Sequence, residues 1–141
     1  MIIRQRSHLS RTLFAASLLM LSMAASVAQA AEKSVTILEP KSGATVSSPF
    51  KVRFGVSGMT VHPATEVIEG TGHHHLLINH GPIKEGEVIP MDDTHLHYGK
   101  GQTEAEVTLS PGKYKLTAQF ANGAHQSYGK KMSDTINVTV K

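Results

Sequence analysis

The stretch Phe50-Lys51-Val52-Arg53-Phe54-Gly55-Val56 decides the fold class. Large apolar residues occupy every second position, with Lys, Arg and Gly between them. That is the period of a strand with one face buried and the other in water. Further along, Ala105, Val107 and Leu109 alternate with Glu104, Glu106 and Thr108. Tyr114, Leu116, Ala118 and Phe120 repeat the pattern, and so do Ile136, Val138 and Val140. Upstream, Val35 to Leu38 is a β-branched run closed by the turn cluster Glu39-Pro40-Lys41-Ser42-Gly43. Ala44-Thr45-Val46 reads as an edge segment ended by Pro49. His73 to Asn79 reads as a strand bounded by Gly72 and by Gly81-Pro82, although Leu76, Leu77 and Ile78 leave its inward face open. A short strand around Glu66-Val67-Ile68 is expected inside the polar stretch from Gly58 to Gly72, and Lys84 to Lys100 reads mostly as loop. About seven short strands without helical periodicity predict an all-β protein, an antiparallel Ig-like β-sandwich. Tyr114, opening a strand just after Ser110-Pro111-Gly112, fits the tyrosine corner of such sandwiches. Leu116 stands where the corner is normally followed by Cys, and the chain has no Cys, so no disulfide is expected.

The first thirty of the 141 residues are read apart from this domain. Arg4, Arg6 and Arg11 precede an apolar run from Leu13 to Val27 and the small-residue site Ala28-Gln29-Ala30. That is the plan of a secretory signal peptide, too short in its apolar run for a spanning helix. The expectation is a signal over 1–30 and one domain over 31–141, soluble and exported to the periplasm. Those three Arg belong to the 14 basic residues, so the domain balances eleven basic against eleven acidic side chains. Without a basic excess or cluster, nucleic acid and anionic membrane are poor ligand classes. What stands out is histidine, eight of whose nine copies lie beyond residue 30.

The histidines are grouped. His73, His74 and His75 are consecutive, His95 and His97 form an H-x-H, and His125 sits in the loop before the last strand. On a strand, residues i and i+2 share a face, so His73 and His75 project together, as His95 and His97 do if extended. Neutral imidazole suits zinc, copper and nickel, and two such pairs plus His125 predict a transition-metal site at His73, His75, His95, His97 and His125. Met59, Met91 and Met132 are soft ligands that favour Cu(I) if any lies close. His74, Gln102 and Glu104 are candidates for orienting the ligand imidazoles from behind. The competing reading is structural. His74 then faces the core, His62 and His80 are solvated, Glu104 is an outward strand residue, and the cluster is a polar or proton-sensitive patch.

Other patterns carry less. Gly99-Lys100-Gly101-Gln102-Thr103 lacks the order and the following helix of a phosphate loop. No G-x-S-x-G is present, and Asp92-Asp93 reads as a turn rather than a catalytic pair.

Four motifs carry a resemblance: Gly72-His-His-His-Leu-Leu-Ile, Thr94-His-Leu-His-Tyr-Gly-Lys-Gly-Gln-Thr-Glu, Pro111-Gly-Lys-Tyr and Gly123-Ala-His-Gln-Ser-Tyr-Gly. Together they resemble the DUF4399 family of exported bacterial domains, over nearly the whole span from Val35 to Lys141. The resemblance implies that His73, His74, His75, His95, His97, Gln102, Glu104 and His125 form one constellation. It implies no activity, the family being one of unknown function. A looser likeness is to periplasmic copper-resistance sandwich proteins of the CopC type, through Pro111-Gly112-Lys113-Tyr114, His125 and the final strand. Those proteins use a His at the mature N-terminus, whereas this chain would begin Ala31-Glu32-Lys33, so the likeness bears on fold and compartment rather than ligands.

Three functions compete on these residues. The favoured one is a non-enzymatic periplasmic carrier, buffer or chaperone for copper or zinc. The second is an interaction module for an envelope protein, peptide or glycan. A metal-dependent enzyme with Glu104 as base is disfavoured, since no partner domain or deep pocket can be inferred.

Overall fold

The computed structural model describes residues 29–141, and the segment read as a signal peptide lies outside them except for Gln29 and Ala30. The order is β1 (Ser34–Glu39), β2 (Thr45–Val46), β3 (Phe50–Ser57), β4 (Thr60–Val61), β5 (Thr71–Ile78), β6 (His95–Tyr98), β7 (Glu104–Val107), β8 (Gly112–Ala121) and β9 (Ser133–Val140). A single 3-10 turn, Lys130–Met132, precedes β9. Seven of the strands have four residues or more; β2 and β4 are two-residue edges. No helix among the described residues is long and apolar enough to cross a membrane.

The strands form two layers. One sheet runs β1-β3-β7, the other β2-β9-β8-β5-β4, with β6 also paired to β5. All pairings are antiparallel except the two-residue contacts of β2 with β9 and β4 with β5. The alternating residues read from the sequence meet between the layers. Val35, Ile37, Phe50, Val52, Phe54 and Val107 from the smaller sheet face Leu76, Ile78, Leu116, Ala118, Phe120, Ile136, Val138 and Val140 from the larger. Each fully buried large apolar side chain contributes about 1.5–3 kcal/mol by leaving water, so this layer carries the fold without a disulfide. The tyrosine corner is present: the Tyr114 hydroxyl donates to the Ser110 carbonyl at 2.9 Å. At one edge Asp134 Oδ2 of β9 accepts from the Ile37 amide of β1 at 2.8 Å and ties the sheets together.

One expected element is absent. Glu66-Val67-Ile68 forms no strand, and the strand in that stretch is β4, where Thr60 and Val61 pair with Thr71 and Gly72. The β-branched pair Thr60-Val61 has a partner edge on β5, whereas Val67 is exposed.

The orientation of β5, open in the sequence, is settled by packing. His74, Leu76 and Ile78 point between the sheets, while His73, His75 and Leu77 point to the outer face of the larger sheet. That outer face is covered. The chain around Glu87 and the chain around Ser127 hydrogen-bond to each other across it: Gly86 N–H to Ser127 O, Ser127 N–H to Glu87 O and Ile89 N–H to His125 O, each 2.9 Å. Beneath them Leu77, Ile89 and Ala121 form a small second core with Ile83 against it. Gln119, on the same outer face, holds the cover in place by accepting from the Ile83 amide and donating to the Gly129 and Met132 carbonyls.

Candidate metal centre

The outer face of β5 presents His73 and His75 two residues apart, both fully buried. Across the β5–β6 ladder His97 lies directly opposite His75, on the same face. His125 arrives from the covering loop and completes the group. His73, His75, His97 and His125 each offer one ring nitrogen, and all four atoms lie within 4.8 Å of one another. His75 Nε2 is 2.9 Å and His125 Nδ1 3.2 Å from His73 Nε2. A tetrahedral ion with metal–nitrogen bonds of about 2.0–2.1 Å spaces its ligand atoms by about 3.3 Å. Two of the donor separations already stand near that spacing, and none exceeds 4.8 Å.

Local backbone features put two of these rings in place. His125 has φ 60°, a left-handed conformation that a side-chain-bearing residue adopts at a cost of about 1–2 kcal/mol. The turn holding it is braced by Asn122 Oδ1, which accepts from the Ala124 and Gln126 amides at 2.9 and 3.0 Å. His97 owes its position to Gly99. A Cβ at Gly99 would collide with Cε1 and Nε2 of the His97 ring.

The electrostatics favour lone pairs over protons. Burial, then the neighbouring His97, His125 and His74, lower His73 to about 4. Burial and then the same kind of neighbours lower His75 to about 2, and burial followed by His125 lowers His97. The two innermost imidazoles are therefore neutral at pH 7, the form that binds a metal. His73 Nδ1, His75 Nδ1 and His97 Nε2 are buried without a hydrogen-bond partner among the described residues. Four converging rings with so few partners cost the fold stability, and a cation between them would offset part of that cost.

Several sequence expectations are corrected. His95 shares the outer face with His97, yet it stands outside the four-histidine group. Two residues along a strand is about 6.6–6.8 Å, which carries it past the convergence point. Its Nδ1 instead pairs with Asp92 Oδ1 at 2.9 Å, and its ring lies 4.4 Å from that of His80. Asp92, read only as a turn residue, makes the turn and also holds this ring. It accepts from the Thr94 amide at 2.8 Å, and the His95 and Thr94 hydrogen bonds hold its carboxyl well below the usual carboxylate range.

His74 does not support the ligands from behind. It points into the sandwich core, 4.8 Å from Phe54 and 4.9 Å from Phe120 between ring centres, with neither nitrogen hydrogen-bonded. Burial lowers it to about 4. Glu104 belongs to the other sheet and pairs with Lys51 at 3.2 Å and Arg53 at 3.9 Å. Gln102 accepts from the Lys100 amide at 2.7 Å and closes a local turn. Sequence proximity puts both near the imidazoles, but the chain leaves β6 and crosses to the opposite layer as β7. Of the methionines, Met132 is in the sandwich core, Met59 packs against it and Met91 is exposed.

A family model matches residues 52–141, which carry all four converging histidines. The chain belongs to the DUF4399 family. Its description is a domain of unknown function, and the match begins inside β3, so β1 and β2 complete the sandwich upstream of it. No curated protein and no solved structure matches this chain, and the likeness to the copper-resistance sandwiches is not shown.

Proposed function

We propose that this DUF4399 protein is an exported, periplasmic, non-enzymatic metal binder that carries, buffers or delivers copper or zinc. The observation that supports this reading most is the convergence of His73, His75, His97 and His125, whose donor atoms lie within 4.8 Å of one another. An all-nitrogen donor set is chosen by zinc, Cu(II) and nickel rather than by calcium or magnesium. Four protein ligands saturate a tetrahedral ion and leave no position for a reacting water, which favours holding over catalysis. His73 and His75 are buried while His97 and His125 are half-buried, so the ion is enclosed on one side and reachable on the other. Export is supported by the plan of residues 1–30.

The test is a titration of the purified protein with Cu(II), Cu(I) and Zn(II), with thermal unfolding followed in parallel. A tight equivalent that raises the melting temperature is expected, since an ion bound only by the folded state at 100 times its Kd adds about 2.7 kcal/mol. Weak binding at many sites without a thermal shift would refute the proposal.

A further inference from the structure

A second pair of imidazoles stands beside the four-histidine centre. His80 is exposed and His95 is nearly buried, and their rings lie 4.4 Å apart with planes inclined by 32°. The chain holds both segments firmly. Asn79, with φ 62°, donates its amide to the Lys115 carbonyl at 2.7 Å, and the His80 carbonyl accepts from Thr117 Oγ1 at 2.8 Å. On the other side, the Ile78 amide donates to the Thr94 carbonyl at 2.8 Å, fixing the residue before His95.

The ring nitrogens of His95 are differentiated. Nδ1 faces Asp92 Oδ1 at 2.9 Å, with Thr94 Oγ1 at 3.1 Å. A carboxylate at that distance accepts a hydrogen bond from Nδ1–H and leaves the lone pair on Nε2. Carboxylate, imidazole and metal in that sequence is the usual way a protein orients a histidine ligand. Among the described residues the hydrogen bonds of this ring run through Nδ1, which leaves Nε2 for a ligand. His80 Nε2 lies 3.3 Å from Thr94 Oγ1, the hydroxyl that also meets His95 Nδ1.

We propose that His80 and His95, with Asp92 as the positioning residue, form a second, weaker site for a divalent transition-metal ion. The ion held there passes to the four-histidine centre. The site itself stands on its own geometry, but its role as a loading point rests on the function proposed above. Two protein ligands completed by water bind less tightly than four. His95 and His97 sit on one face of β6, one strand repeat apart, so an ion released by the pair is already beside the half-buried rim of the centre. Affinity therefore rises inward along the strand.

Cu(II) titration and stopped-flow loading of the purified protein test this. The wild type is expected to bind one tight and one weaker equivalent. His80→Ala removes an exposed side chain, so the fold should persist. It should abolish the weaker equivalent, leave the tight Kd unchanged and slow loading of the tight site. Asp92→Asn should weaken the second equivalent by about 10–100-fold, the usual effect of losing a carboxylate behind a ligand histidine. His75→Ala should lose the tight equivalent and keep the weaker one. Stoichiometry and loading rate unchanged in both His80→Ala and Asp92→Asn would overturn the inference while the four-histidine reading stands. A His75→Ala protein that binds as the wild type does, with binding lost in His80→Ala, would refute the four-histidine reading and with it the loading role.

Discussion

His75 Nε2 lies 2.9 Å from His73 Nε2, two buried lone-pair nitrogens held against each other on the outer face of one sheet. Only one hydrogen can occupy that contact, and a cation can replace it. Removing either ring should therefore cost more affinity than disturbing a supporting residue. His75→Ala is expected to weaken tight Cu(II) or Zn(II) binding by more than the roughly 10–100-fold typical of losing a group behind the ligands. His97→Ala should do the same, whereas His95→Ala should leave the tight Kd near the wild-type value. Competition titration against a chelator of known affinity separates the two outcomes, and equal losses from His95→Ala and His97→Ala would contradict the ligand set.

The metal-free protein should lose stability in mild acid. His73 and His74 titrate at about 4 and His75 at about 2 in the folded chain, against about 6.5 when unfolded. Folded pKa values below the unfolded ones mean that the unfolded chain binds more protons under pH 6.5. Stability is then fully present above about 6.5 and falls as the pH drops toward 4, each group contributing a slope of about 1.4 kcal/mol per pH unit. Urea unfolding at pH 7, 6 and 5 checks this. The free energy should decline from pH 7 to pH 5, and a flat profile would mean that these rings are not held neutral.

The sandwich was legible because its core strands alternate strictly, and strict alternation has one solution: Phe50, Val52 and Phe54 inward, Lys51 and Arg53 outward. The centre was legible in part. His73 and His75 had to share a face, and so did His95 and His97, but a shared face does not fix distance along it. Whether His95 or His97 joins His73 and His75 depends on the register, His97 opposite His75 and His95 opposite Leu77, and nothing local sets that register. The run Leu76-Leu77-Ile78 hid the phase of β5 because both faces of this strand are buried, one by the second sheet and one by loops. Glu104 stands apart from the imidazoles for a related reason: nearness in sequence to His97 says nothing once the chain changes layers.

His74 should be replaceable by Phe at a gain. Its ring stacks on Phe54 and lies tilted against Phe120, with both nitrogens buried and unpaired among the described residues, and an unsatisfied buried polar atom costs about 1–3 kcal/mol. Phe adds volume, which costs something in a closed core, so the net rise expected at pH 7 is about 1–2 kcal/mol. Chemical denaturation measures it. Metal affinity should stay unchanged, because His74 faces away from the centre. A loss of metal binding in a well-folded His74→Phe protein would show that His74 does support the ligands.

Gly99→Ala tests the centre without touching a ligand. The added methyl group would fall on Cε1 and Nε2 of His97, so the ring has to turn or β6 has to shift. The three atoms nearest that Cβ are the two of the His97 ring and, at 3.3 Å, the Ala64 Cβ, none of them in the sandwich core. Core stability should therefore change little, while one of four ligands loses its aim. Misplacing a ligand ring resembles losing the group that orients it, and a drop in tight-site affinity of about 10–100-fold is expected. The informative comparison is between two readouts on one protein: urea unfolding of the metal-free form and a chelator competition on the loaded form. Affinity lost with unfolding unchanged places the effect on the His97 ring. Affinity retained would mean that His97 is free to swing and that His73, His75 and His125 hold the ion without it.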